Sequence, residues 1–204
     1  MAYITGAEAN QIQKMDAGSY GGRGDLLRHT LYDTNDITAQ PIQEFFTTPQ
    51  SGTKPVTDTN LRDTGKLPAG QSFIVMAVEF SFCNVGVADA LTTQAQHFLT
   101  AYAQSQFKLN IAGREFDLEV SGNEFLPGMI QSGVGTGATP QTGFFIKDGR
   151  IRVKPNIVLG ELVSFKVVTT FNTQNAGVLA SLTALAGAKC RLQYRLCGML
   201  KRLK

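Results

Sequence analysis

The chain has 204 residues, of which 43% are hydrophobic and 17% charged, enough length and apolar content for one well-buried domain and too much for a chain disordered throughout. Its net charge of +3 is uneven, because the final stretch from Lys189, KCRLQYRLCGMLKRLK, contains six Lys and Arg and no acid, leaving −3 for the remainder. Three cysteines and two histidines without Cys-x-x-Cys or His-x-x-x-His spacing exclude a disulfide framework and a recognisable metal cluster.

Residues 1–66 are polar and rich in turn formers, as in GSYGGRGD and TTPQSGTKPVTDTN. They read as an extended N-terminal arm with one strand, near 42–47, ahead of a β domain over 67–204. The N-terminus lacks the apolar core of a signal peptide, and no apolar run reaches membrane-spanning length. A protein soluble in the cytoplasm is expected. From residue 72, SFIVMAVEFSFC alternates, which predicts a core strand with Ile74, Met76, Val78, Phe80 and Phe82 on one face. Spacings of three and four among Leu91, Ala95, Phe98, Leu99 and Tyr102 predict a helix over 89–105, with Asp89 as N-cap.

Two hairpins are expected next. A turn at Ala112-Gly113 would pair Leu109 with Phe116 and Phe107 with Leu118; a type I′ turn at Asp148-Gly149 would pair Ile146 with Ile151 and Phe144 with Val153. Between them lies a Gly/Thr-rich loop over 127–142. Alternation resumes in ELVSFKVVTTF, followed by the Leu/Ala-rich AGVLASLTALAG. In the last segment Cys190, Leu192, Tyr194 and Leu196 alternate with Lys189, Arg191, Gln193 and Arg195, so 189–197 reads as a strand with a basic solvent face. Lys201, Arg202 and Lys204 read as a tail.

Strands near 42–47, 72–83, 106–111, 114–120, 143–148, 150–154, 161–171 and 189–197, with one inserted helix and no βαβ alternation, define an all-β chain. The expected architecture is an eight-stranded antiparallel β-sandwich, and eight strands is the jelly-roll number.

Catalytic motifs are weak. Asp63-Thr64-Gly65 spells an aspartic-protease triplet, but Arg62 and Lys66 flank it in a turn-rich stretch where that motif needs apolar neighbours. Gly133 to Ala138 fits G-x-G-x-x-A without a strand-turn-helix context. Neither His29 nor His97 has a nucleophile placed beside it by sequence, and Arg23-Gly24-Asp25 matches the integrin-adhesion tripeptide over three residues only. The chain is therefore expected not to be an enzyme, with no catalytic, cofactor or metal site. The candidate nucleic-acid contacts are Arg191, Arg195, Lys201, Arg202 and Lys204, acting on phosphates without sequence preference.

The polar arm, the first long strand entered through LPAGQSFIVMAVEFSF, the helix between strands, the Gly/Thr-rich loop and the closing strand CRLQYRLCGMLKRLK together resemble the jelly-roll capsid proteins of tailless icosahedral phages and related viruses. The resemblance spans residues 67 to the end and is one of pattern. It implies a single-jelly-roll structural protein that self-assembles through homo-oligomeric contacts into an icosahedral shell around the genome, found in the virion after synthesis and assembly in the host cytoplasm. Other capsid components and nucleic acid are its implied partners. The alternative expectation is a β-sandwich carbohydrate- or receptor-binding module of a phage fibre or surface assembly, using the 127–142 loop.

Overall fold

Alternation of apolar and polar residues decides most of the architecture. The computed structural model describes residues 24–50, 54–84, 91–112, 114–125, 130–132, 143–145 and 149–203. In chain order they form β1 (Gly24–Asp36), β2 (Ile42–Phe45), β3 (Gln71–Asn84), α1 (Leu91–Ala103), β4 (Ser105–Ile111), β5 (Arg114–Ser121), β6 (Ile130–Ser132), β7 (Gly143–Phe145), β8 (Gly149–Leu159), β9 (Phe165–Phe171), α2 (Ala176–Gly187) and β10 (Cys190–Leu203). In β4 and β9 every second residue is buried, the signature of strands with one face on a core.

Two four-stranded antiparallel sheets result, ordered β1-β10-β3-β8 and β2-β9-β4-β5, while β6 and β7 form a separate hairpin. The two sheets make a β-sandwich. Leu31, Phe73, Val78, Phe80, Leu192 and Leu196 from the first share one buried cluster with Phe45, Phe107, Leu109, Val167 and Phe171 from the second. Tyr194 spans the gap between them. Its ring meets Phe45 at 4.8 Å and Phe107 at 5.2 Å between centroids. Its hydroxyl lies 2.6 Å from that of Tyr102 on α1 and 2.8 Å from Thr169 Oγ1 on β9. A buried hydroxyl without a partner is costly, so this triad fixes both sheets and the helix relative to one another. Burial holds both phenols well above their ordinary range, so they stay neutral donors.

The structure revises several expectations. The segment expected as an arm up to residue 66 belongs to the sandwich from Gly24 onward: β1 pairs with β10 over its full length, and Leu31, Ile37, Phe45, Phe46 and Leu61 are core residues. Residues 1–23 lie outside the described ones. In β3 the inward parity changes at Met76, where Cys197 pairs with Ala77 but Gly198 with Val75. Phe73 and Val75 face the core before this bulge and Val78 and Phe80 after it, so the single face expected from Ile74 to Phe82 breaks at one extra residue.

The β4–β5 hairpin turns where expected, with Ile111 opposite Arg114, but Leu109 then pairs with Leu118 and Phe107 with Val120. The register thus shifts by two residues from the expected one and each inward position keeps its face, because a strand repeats every two residues. The expected 143–154 hairpin does not form: Phe144 pairs with Gln131, and β8 pairs with β3. Asp148 is outside the described residues. A second helix, α2, replaces the single-helix expectation. Asn175 caps its start by accepting from the Gly177 N–H at 2.9 Å, and its buried face, Val178, Ser181, Leu182 and Leu185, is completed by small side chains. Finally, β10 continues to Leu203, so Lys201 and Arg202 are strand residues and not a tail; Lys204 is not described.

Gly149 and Gly198 are among the glycines required by close approach of neighbouring backbone. A Cβ on Gly149 would stand 2.1 Å from Phe125 O and 2.3 Å from the Phe80 ring, which explains this glycine without the type I′ turn expected of it. A Cβ on Gly198 would stand 1.7 Å from Ile74 O and 3.2 Å from the Phe73 ring, at the point where β10 passes the β3 bulge. Gly198→Ala should therefore cost about 1–3 kcal/mol as an overpacked core site, read as a lowered denaturation midpoint in urea; an unchanged midpoint would show that β10 and β3 do not pass this closely.

Candidate functional site

The C-terminal basic segment is where the sequence places its one concentration of charge, and β10 carries it across the middle of the first sheet. Because β10 lies between β1 and β3, each outward residue has cross-strand neighbours on both sides. Arg191 sits opposite Asp36 in an ion pair, with Nε 3.0 Å from Asp36 Oδ1; its Nη2 donates at 2.5 Å to Asp58 Oδ2 from the loop that follows β2. Gln193 donates from Nε2 to Thr34 Oγ1 at 2.9 Å, and its Oε1 accepts from Arg195 Nε at 2.6 Å and from Ser81 Oγ at 3.4 Å. One strand further, Arg150 on β8 reaches Glu79 on β3 at 3.1 Å.

This face is an internally matched polar layer. The Arg191 guanidinium holds the Asp58 carboxyl below its ordinary value of 3.8, so both groups are charged and engaged with each other at neutral pH. Of the expected nucleic-acid contacts, Arg191 and Arg195 are half-buried in this layer, Lys201 is only 4% exposed, and Arg202 is exposed. The structure brings Arg191 and Arg195 together with Gln193 on one face, and Lys201 and Arg202 lie further along the same strand. Exposed cations outside β10 include Arg28 on β1 and Arg152 and Lys154 on β8, the last two on the basic face that the sequence also offered for phosphates.

A second charged centre holds the loop that supplies Asp58. Asp33, fully buried on β1, accepts from the Phe46 N–H at 2.6 Å and from Lys54 Nζ at 2.5 Å. Burial is the stronger influence and pushes its carboxyl up, while Lys54, the Phe46 N–H and Thr59 act against it. The same loop caps part of the β1 edge: Asp58 O accepts from the Thr34 N–H at 2.7 Å, and Asn60 Nδ2 donates to Thr30 O at 2.7 Å. The acids that match Arg191 were not identifiable beforehand, because Asp58 is distant in sequence and sits among turn residues; the alternating charge on 189–197 was the only signal available.

Asp63, His29 and His97 each have a definite setting in the fold. Asp63 is exposed in a turn closed by a bridge to Lys66. His29 is half-buried with its ring edge-on to Phe73 at 6.4 Å, and burial, then Arg202, lowers its pKa. His97 Nδ1 lies 3.2 Å from Ser181 Oγ, joining the two helices; that serine is 3% exposed. No group of three or more His, Cys, Asp or Glu among the described residues is placed to hold a metal ion. No helix among them is long and apolar enough to cross a membrane. Most of the 127–142 loop, including Gly133 to Ala138, lies outside the described residues.

Comparison with protein-family models, with curated proteins and with solved structures finds no match.

The matched layer has a pH signature. The Asp58 carboxyl binds its proton less readily in the folded chain than in the unfolded one, so its contribution to stability is complete above about pH 4 and is lost as the pH falls through its lowered folded value. Arg191→Gln should flatten this acid limb and leave the native circular dichroism spectrum intact at pH 7, checked by urea melts between pH 2 and 7; an unaltered acid limb would show that the Arg191–Asp58 pair is not what depresses that carboxyl.

Proposed function

We propose that this chain is a single-jelly-roll capsid protein that self-assembles into a closed icosahedral shell around a viral genome. The observation that carries the reading is the strand order. Ignoring the small β6–β7 hairpin, the outermost strands β1 and β10 pair, then β2 with β9, β3 with β8, and β4 with β5. The chain is in effect one long antiparallel ribbon, and every connection except the β4–β5 hairpin passes from one sheet to the other. Renumbered in sequence, the eight sandwich strands have the order 1-8-3-6 over 2-7-4-5, and this order supports the jelly-roll reading, in which such a ribbon rolls into two layers.

The chemistry of the surface agrees with a structural role. Arg191 and Arg195 of β10 are engaged within the subunit, and the fully buried Tyr102 and Thr169 both bond the buried Tyr194 hydroxyl. Several large apolar side chains remain exposed at separate places, among them Ile42 on β2, Val158 on β8 and Leu162, and contact with further copies would bury them. Nucleic acid, on this reading, meets the exposed Arg152, Lys154 and Arg202 through their charge alone, so its attraction weakens with salt and does not depend on base sequence.

Size-exclusion chromatography and electron microscopy of the purified chain test the proposal. Closed particles of uniform diameter at moderate salt are expected, and neutralising Arg152, Lys154 and Arg202 together should lower bound nucleic acid without preventing particle formation. A strictly monomeric chain at high concentration and at every salt concentration would overturn the shell reading.

A further inference from the structure

The geometry points to a covalent modification within this chain: an amide bond between Lys54 Nζ and Asn35 Cγ, formed with loss of ammonia and with Asp33 as the proton carrier. Asp33 and Asn35 stand two residues apart on β1, so their side chains share one face of the strand. Lys54 Nζ meets both, 2.5 Å from Asp33 Oδ1 and 2.6 Å from Asn35 Oδ1. Each of the three groups is also held from another side. Phe46 N–H and Thr59 bond the Asp33 carboxyl, and Asn35 Nδ2 donates to Glu44 O at 2.6 Å, which turns the amide oxygen toward the amine. Next to Lys54, Pro55 O accepts from the N–H groups of Asp58 and Thr59. Amine, amide and carboxyl are therefore in contact before any reaction, which lowers the entropic barrier to joining them.

An ion pair by itself would need only Lys54 and Asp33; the amide placed against the same ammonium adds an electrophile. The setting is also dry, with the Asp33 side chain 0% and the Lys54 side chain 10% exposed. In water an ammonium keeps its proton and is no nucleophile. Here burial pushes the Asp33 carboxyl up, so it accepts a proton from Nζ more readily than a solvated carboxylate does. The Nζ lone pair then forms a bond to Asn35 Cγ. As the Cγ–Nδ2 bond breaks, Asp33 passes its proton to Nδ2, and a second Nζ proton goes to the departing ammonia. Ammonium leaves, Asp33 returns to a carboxylate, and one N–H remains on the new amide. The product ties the start of the 54–61 loop to the end of β1, so the cap that Asp58 and Asn60 place on the β1 edge no longer depends on ion pairs that salt or acid weakens.

The link needs no second copy, so it stands or falls separately from the shell. Intact-mass measurement of the purified full-length chain, kept folded at neutral pH, should give the mass of its sequence less one ammonia. Proteolysis of the denatured chain after Glu44 cuts between the two residues, and the piece with Asn35 should stay joined to the piece with Lys54. Lys54→Arg keeps a cation beside Asp33 but offers no primary amine, so it should carry its full mass and come apart at that cut. Asp33→Ala should slow the ammonia loss about a hundredfold or more; a folded Asp33→Ala chain that links as fast as the parent would overturn the role of Asp33. A parent chain that keeps its full mass on prolonged incubation and separates after Glu44 overturns the bond, and so does an ammonia loss that persists in Lys54→Arg.

Discussion

The antiparallel pairing of β1 with β10 joins the first described strand to the last, and the rest of the structure depends on it. The ladder runs for the whole of β1, from Gly24 opposite Leu203 to Asp36 opposite Arg191. It makes β10 an interior strand with β3 on its other side. An interior strand has two consequences for a basic sequence. Its inward residues, Cys190, Leu192, Tyr194, Leu196 and Leu200, must fill the core, and they do so almost completely. Its outward residues acquire neighbours on both sides, and Arg191 and Arg195 are met by Asp36, Asp58 and Gln193. Arg191 and Arg195 are thus drawn into cross-strand matching, while exposed cations stand on β8 and at Arg202 near the end of β10.

The loop over 54–61 depends on the same pairing. Asp33 is carried into the interior by β1, where a lone carboxylate would be very costly; the Lys54 ammonium and the Phe46 N–H supply the compensation. Once Lys54 is held there, the residues after it are brought along the β1 edge, where Asp58 reaches Arg191 and Asn60 bonds Tyr32 and Thr30. Charge burial, edge capping and the matching of Arg191 are in this way one connected arrangement.

Where one face of a strand is uniformly apolar, the sequence was sufficient. The strands β4 and β9 and the alternation of Leu192, Tyr194 and Leu196 are readable because period-two burial leaves a period-two sequence. The β1 strand was hidden because its inward positions include His29 and Asp33 beside Leu31, so the pattern lacked contrast. The bulge at Met76 adds one residue without altering composition, and parity beyond it is set by pairing with Gly198 and by β8. The α2 helix was obscured by its small residues, which give a nearly uniform apolar run instead of a stripe. For the candidate site, the cations were visible and their partners were not, since Asp36 and Asp58 meet Arg191 only after residues more than a hundred positions apart are folded together.

Native-state hydrogen exchange followed residue by residue tests the clasp of the two ends most directly. If β1 and β10 form one ladder against β3, the amides that bond across it, from residue 25 to 36 and from 190 to 202, exchange only through opening close to global unfolding. Protection in β10 then extends past Gly198 to Lys201. Rapid exchange over 198–203, with protection confined to 190–197, would restore the C-terminus as a tail and contradict the pairing on which the charge matching and the capped edge both rest.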